Sequence, residues 1–136
     1  MRVSYTNAAG LAKPRAPYSH LAKAPGGLVA VAGQVATDRD GNLVGGDDCG
    51  RQAEQVLENL RAALAEVGLF PRDLIQLTTY LTRPEDIPDF FAARERIFAG
   101  FFPDGAYPPN SFVVVRQLVR PELLVEIQAL AVGPTD

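Results

Sequence analysis

With 136 residues and a formal net charge of −3, this chain is predicted to form one domain over residues 1–136 with a buried core. The acidic balance argues against nuclease and translation-inhibitor functions, because proteins that hold nucleic acid normally present a basic face to the phosphates. The one cysteine excludes an intrachain disulfide, and without an apolar run of membrane-span or signal-peptide length we expect a cytoplasmic protein.

The first half of the chain predicts two strands and a helix. A short strand is expected near residues 3–6, and the valine-rich run at 27–35 has the composition of a buried strand. Asp40-Gly41 and Gly45-Gly46 favour a turn. The helix is expected to begin at Asp47 or Asp48 and to end at Gly68. Its apolar stripe at helical spacing comprises Ala53, Val56, Leu57, Leu60, Ala63, Leu64 and Val67.

The second half predicts a strand, a helix and two further strands. Residues 73–81 form the first of these strands, and a turn leads to a helix with Asp86 as its cap and Pro88 in its first turn. The last strands are expected at 111–118 and 123–132. We assign the aromatic face of the helix to the core, and it comprises Phe90, Phe91, Arg94, Ile97, Phe98, Phe101 and Phe102.

This element order predicts an α+β fold in which two helices cover one face of a sheet. The other face should then alternate with polar residues, yet the runs LVAVAG, FVVV and LLVEIQALAV are apolar on both faces. Large apolar patches are rare on monomers, so we expect other copies of the chain to bury the second face.

Glu126 is the sharpest candidate for chemistry. It lies inside an apolar strand, on the same face as Leu124, Gln128 and Leu130. A carboxylate there is costly unless it is paired, hydrogen-bonded or protonated, and such groups cluster at functional sites. Its expected role is to activate a water molecule or carry a proton, and the alternative is an ion-paired or edge-exposed glutamate.

Other candidates are weaker on the residues alone. Tyr18 offers a phenol and a flat ring that could form a wall of a pocket. Gly33 would allow a ligand to approach the backbone closely. Asn110 and Ser111 provide polar groups at the start of a strand. On the residues alone, packing, chain bending and strand capping are favoured over a binding role. His20 is the only histidine, so no zinc site of ordinary spacing is expected, and Cys49 is taken as incidental.

Seven segments together resemble the Rid (YjgF) family of imine/enamine deaminases. They are APYSHL, VAVAGQV, QVLENLRAALAEVGL, DLIQLTTYLT, the FF that closes the second helix, PPNSF and VEIQALAV. The resemblance implies a chorismate-mutase-like fold, a homotrimer with a central barrel-like core, and a small-molecule cleft at each subunit interface. It implies hydrolysis of 2-imino or 2-enamino acids to 2-keto acids and ammonia without a cofactor. Neither a metal, a nucleic acid nor a membrane is an expected partner.

Three residues carry over from the family's active members. The water-positioning glutamate matches Glu126, the tyrosine that walls the pocket matches Tyr18, and the glycine near the substrate matches Gly33. The family's Pro-x-Arg-Ser reads Pro108-Pro109-Asn110-Ser111 here, so the arginine that grips the substrate carboxylate is absent. Losing such a contact typically costs about 2 to 5 kcal/mol when the partner stays buried.

Further departures alter the predicted pocket. Phe112 replaces a common cysteine and Glu95 an asparagine found in some members; with Gly33, Asn110 and Ser111 they form the predicted substrate-binding set. Arg116, placed on the strand face of Asn110, is included as a substitute cation, and Arg94 on the second helix is the other candidate. Two functions remain open: a hydrolase that needs no carboxylate clamp, and a non-catalytic small-molecule-binding or regulatory trimer.

Overall fold

The computed structural model describes residues 3–134 and contains two helices and six strands. Short 3-10 turns at Pro71–Asp73 and Pro84–Asp86 precede the fourth strand and the second helix. In chain order the elements are β1 (Ser4–Thr6), β2 (Leu21–Lys23), β3 (Leu28–Gln34), α1 (Cys49–Glu66), β4 (Leu74–Leu81), α2 (Ile87–Phe101), β5 (Asn110–Val114) and β6 (Val125–Val132).

The strands form one sheet in the order β1-β2-β3-β6-β4-β5. All neighbours are antiparallel except β4 and β5, which run parallel. A parallel pair needs a long crossover, and α2 provides it. The last strand, β6, therefore lies at the centre of the sheet, and this places Glu126 between β3 and β4.

Both helices pack on one face of the sheet, as predicted. Asp48 caps α1 by accepting a hydrogen bond from the Arg51 amide at 3.1 Å, and Gly68 follows the helix with φ of 75°. The predicted stripe of α1 is buried except for Val67, which is half-buried. Opposite it, the sheet contributes the buried side chains of Val29, Val31, Leu77, Leu81, Val125, Ile127, Ala129 and Ala131.

Several boundaries differ from the prediction. Strand β2 was missed, because three residues are too few to show a period. Asp86 occupies the cap position of α2, but its carboxylate pairs with Arg83 at 2.7 Å and makes no capping hydrogen bond. Strand β5 ends at Val114, so the placement of Arg116 on the strand face of Asn110 is wrong. Phe91, assigned to the core, is 42% exposed.

The second sheet face carries no helix in the described part of the chain. Leu28 and Val132 are register partners across β3 and β6, and both are 42% exposed. Val113 on β5 is exposed to a similar degree, at 43%. Polar side chains join them in the first half of β6, where Glu126 and Gln128 point to this side. The face is therefore apolar at its margins and polar around Glu126.

Candidate functional site

A bulge in β3 places Gly33 against Glu126. The register with β6 runs from Val31 opposite Ala129 to Gln34 opposite Ile127, so Ala32 and Gly33 together face Gln128. A Cβ at residue 33 would lie 2.8 Å from Cδ of Glu126, inside van der Waals contact. Glycine is therefore required here for the Glu126 carboxylate to lie where it does. The sequence predicts a close approach to the backbone at Gly33, and in the structure the Glu126 side chain makes that approach.

The Glu126 carboxylate is half-buried, and it has no hydrogen-bond or ion-pair partner among residues 3–134. Burial raises its pKa above the ordinary value of 4.5, because desolvation penalises the charged form. Its register neighbour on β4 is Tyr80, whose hydroxyl donates instead to Oε1 of Gln128 at 3.0 Å. Glu126 is thus a carboxylate with free acceptor oxygens and a raised affinity for a proton.

A cleft of about 360 Å³ is lined by Gly33 and Tyr18, and Glu126 adjoins it through its contact with Gly33 without being one of its lining residues. Tyr18 is 52% exposed, so its ring is a wall of the cleft more than part of the core. Sequence reasoning missed three cations that share the cleft, Lys13, Arg15 and Arg120. Arg120 is paired with Glu122 at 2.6 Å. Both arginines lie in loops, where no periodic pattern indicates the direction of a side chain.

His20 borders the same cleft, but its contacts are structural. Its Nδ1 accepts a hydrogen bond from the Ala8 amide at 3.0 Å, and Nε2 lies 3.0 Å from the Ala12 carbonyl. Burial lowers its pKa, so the neutral ring is favoured. His20 therefore connects the N-terminal segment to the start of β2. Its ring meets the Tyr18 ring edge to face, with the ring centroids 6.3 Å apart.

A second groove, of about 680 Å³, contains Asn110 and Glu95. Asn110 starts β5 and its Oδ1 accepts a hydrogen bond from the buried Thr79 hydroxyl at 3.2 Å. Arg94 lines the same groove, so of the two substitute cations it is the one that the fold brings to Asn110. Arg116 lines a separate cleft with Arg83 and Asp47. Its predicted place in the substrate-binding set is not supported within one chain.

The two groups of predicted site residues lie on opposite faces of the sheet. Asn110 pairs with the buried Leu77 and Glu126 pairs with Tyr80, and these two β4 residues point to opposite sides. Ser111 shares the face of Glu126, two strands away from it. Phe112 faces the helices and packs on Phe91 with ring centroids 5.4 Å apart. One chain therefore places Glu126 against Gly33, which shares a cleft with Tyr18, but keeps Asn110 and Glu95 in a separate groove.

Other reactive groups do not add a site. Cys49 is buried, and burial raises its pKa to about 12, so the thiol stays protonated and unreactive. Residues 3–134 contain no cluster of three or more histidine, cysteine, aspartate or glutamate side chains arranged to hold a metal ion. Neither α1 nor α2 combines the length and hydropathy needed to cross a membrane.

Comparison with known proteins gives consistent results. Residues 9–133 match the family model described as Endoribonuclease L-PSP. Over 120 residues the chain is 38% identical to a RutC family protein of Pyrococcus horikoshii, and the match covers 88% of this chain and 89% of that one.

Solved structures agree with this assignment. A candidate endoribonuclease of Thermotoga maritima superposes with a TM-score of 0.82 at 30% identity, covering 98% of this chain and 99% of that one. Escherichia coli TdcF, solved with bound serine, gives a TM-score of 0.85 at 25% identity, with 96% and 99% covered. The chain therefore belongs to the Rid (YjgF, L-PSP) family, and its α+β sheet with two helices on one face is the chorismate-mutase-like fold of that family.

Proposed function

We propose that this chain is a Rid-type hydrolase that acts on a reactive imine or enamine in a cleft between copies of the chain. The observation that carries the proposal is Glu126: a half-buried carboxylate with a raised pKa and no partner among residues 3–134, placed against Gly33, which lines the cleft walled by Tyr18. A general base needs free acceptor oxygens together with a pKa that is shifted towards neutral pH.

The reaction converts a C=N bond and one water into a C=O bond and ammonia. Glu126 accepts a proton from the water as its oxygen attacks the imine carbon and passes that proton to the nitrogen, which gives a carbinolamine. Glu126 then accepts the hydroxyl proton of the carbinolamine and delivers it to the amino nitrogen, and ammonia leaves as the carbonyl forms. Glu126 ends the cycle in its starting state, so the reaction consumes no cofactor. Tyr18 contributes the wall that limits the substrate's position in the cleft.

Assembly as a homotrimer completes the proposed site. One chain separates Glu126 from Asn110 by the thickness of the sheet, so a substrate that touches both must lie between two copies. The exposed apolar margin of the open face, which includes Leu28, Val113 and Val132, supports burial against another copy. In this arrangement the Glu126 side of one copy meets the Asn110 groove of the next.

A second candidate, a non-catalytic small-molecule-binding trimer, is favoured by Asn110. Asparagine is neutral and its Oδ1 is already engaged by Thr79, so it cannot form the bidentate charged contact of an arginine. TdcF, a relative at 25% identity, was solved with bound serine. A chain that binds a small molecule through the same groove without turning it over would account for that substitution.

Ammonia release from freshly generated imines tests the proposal. Imines of both small and large amino acids are supplied, and the rate above spontaneous hydrolysis is measured. Turnover that disappears in Glu126→Gln and persists in the control Glu66→Gln supports the hydrolase. Glu66 is suited as a control because it is exposed at the end of α1. If Glu126→Gln hydrolyses every accepted imine at the wild-type rate, the role assigned to Glu126 is wrong. Binding without turnover in the wild type would establish the second candidate.

A further inference from the structure

Arg94 on α2 is a cation held by aromatic rings and left without a counter-ion. Its guanidinium carbon lies 4.6 Å from the ring centroid of Phe91, 5.6 Å from that of Phe90 and 5.7 Å from that of Phe98. Within residues 3–134 no carboxylate oxygen lies within 4.0 Å of a guanidinium nitrogen of Arg94. The neighbouring Arg96 differs, because it is paired with Glu54 of α1 at 2.7 Å.

This environment leaves unused binding capacity on Arg94. The guanidinium is half-buried, and desolvation lowers its pKa, although it remains a cation at any physiological pH. Three rings restrict the orientation of the guanidinium, so the Arg94 side chain loses less conformational entropy when an anion binds. Its N–H groups have no acceptor among the described residues. A partly desolvated cation with free donors is stabilised by an anion that enters the groove.

The groove itself indicates what accompanies that anion. Its volume of about 680 Å³ is within the range of small-molecule sites. Phe91, Phe98 and Tyr107 give it flat apolar walls, and Phe98 and Tyr107 are stacked with ring centroids 6.0 Å apart. Glu95 lies at the exposed rim and carries the opposite charge to Arg94. Glu95 repels a multiply charged anion such as phosphate more strongly than a monocarboxylate, so the groove favours the singly charged anion.

We propose that Arg94 binds the carboxylate of an aromatic monocarboxylate whose ring lies against Phe91, Phe98 and Tyr107. Asn110 supplies a second polar contact, because Thr79 occupies its Oδ1 and its Nδ2 has no partner among residues 3–134. The proposal rests on the proposed function only for its substrate: the imine processed near Glu126 would be an aromatic 2-imino acid. The binding claim stands without the reaction.

Calorimetric titration of the full-length protein tests the binding claim with three probes. These are 3-phenylpropionate, its neutral amide 3-phenylpropanamide, and propionate. We expect 3-phenylpropionate to bind most tightly, because it alone has both the carboxylate for Arg94 and the ring for the aromatic walls. Loss of the charge or the ring is expected to weaken binding about tenfold or more. Equal affinity for the acid and the amide would overturn the proposal.

Variants of the two neighbouring arginines separate the local effect from a general one. Arg94→Gln should weaken 3-phenylpropionate binding by about tenfold to a hundredfold and leave the amide unchanged. Arg96→Gln, which removes the same charge from the same helix outside the groove, should leave both unchanged. If Arg94→Gln unfolds, Arg94→Lys keeps the charge without the planar fork, and its affinity for the acid should be intermediate. Wild-type binding in a folded Arg94→Gln or Arg94→Lys variant refutes the proposal.

The outcomes also separate this proposal from the hydrolase. Binding of 3-phenylpropionate that depends on Arg94, without hydrolysis of any imine, would confirm the Arg94 site and refute the hydrolase. Hydrolysis that depends on Glu126, with no preference for aromatic carboxylates, would do the reverse.

Discussion

The carboxylate of Glu126 occupies the space that a side chain at residue 33 would need. A Cβ added to Gly33 would be 2.8 Å from Cδ of Glu126, and the β3 bulge is what brings the two residues together. The contact joins the bulge to the one half-buried carboxylate of β6. Substitutions at either residue therefore test whether this geometry has a function.

Gly33→Ala is expected to reduce imine hydrolysis strongly while lowering stability by only about 1 kcal/mol or less. The methyl group meets the end of a flexible side chain, so Glu126 can move away at little energetic cost but leaves its position for activating water. Turnover and chemical unfolding measure the two effects. Gly100→Ala is the control, because a Cβ added at Gly100 would have no atom within 4 Å. Alanine also stabilises a helix by up to about 1 kcal/mol relative to glycine. Undiminished turnover in Gly33→Ala would contradict the assigned geometry.

Glu126→Gln is expected to become more stable relative to the wild type as the pH rises. Burial raises the folded-state pKa of Glu126 above 4.5, so the folded chain binds more protons than the unfolded chain just above that pH. The free energy of unfolding of the wild type therefore falls as the pH rises through the window from 4.5 to the raised pKa. Glutamine has no proton to lose there. Urea titrations at acidic and neutral pH measure the difference.

The Glu122→Gln variant is expected to show the opposite pH dependence of stability and serves as a comparison. Hydrogen bonds from its own backbone amide and from the Arg120 side chain lower the pKa of Glu122. Its contribution to stability is present above the unfolded-state pKa and is lost as the pH falls, so the small deficit of this variant should shrink in acid. A Glu126→Gln variant that follows the Glu122→Gln trend would show that its carboxylate is favourably paired in the folded protein.

Asn110→Arg is expected to increase turnover of small 2-imino acids such as 2-iminopropionate by about tenfold or more. These compounds lack the apolar group that the aromatic groove could hold, so an added guanidinium on β5 supplies binding that they otherwise miss. Asn110→Met is the control, since it removes the acceptor of the Thr79 hydroxyl without adding charge. A gain in Asn110→Met, or no gain in a folded Asn110→Arg, would show that charge at this position is not limiting.

Val132→Glu is expected to reduce the oligomer to a species of about 14.6 kDa, the mass of one chain. Val132 and its register partner Leu28 are exposed apolar residues on the open sheet face, where a buried carboxylate would have no partner. Sedimentation velocity measures the mass. Phe70→Glu is the control, because Phe70 is equally apolar and 52% exposed but lies in the loop after α1. A wild-type chain that is already monomeric would refute the proposed assembly.

Periodicity in the sequence was enough to predict most elements and the face of each. The apolar stripe of α1 and the alternation of β6 follow from the geometry of a helix and a strand, so Glu126 could be assigned to the face of Gln128 and Leu130 without coordinates. Buried polar residues were not predictable in this way. Gln52 is fully buried in α1, where it donates to the Gly46 and Glu122 carbonyls and accepts from the Leu124 amide. Its partners lie in loops.

By itself the sequence determined the family, the sheet covered by two helices and the isolated carboxylate at Glu126, because these depend on local periods and on motifs read in order. Only the tertiary structure decided that Glu126 lies against Gly33 and that Asn110 lies on the other side of the sheet. It also decided that Arg94 lines the same groove as Asn110, whereas Arg116 lines a separate cleft. Such relationships depend on strand register, on a bulge and on where β5 ends. They arise from packing between distant segments, which no local pattern records.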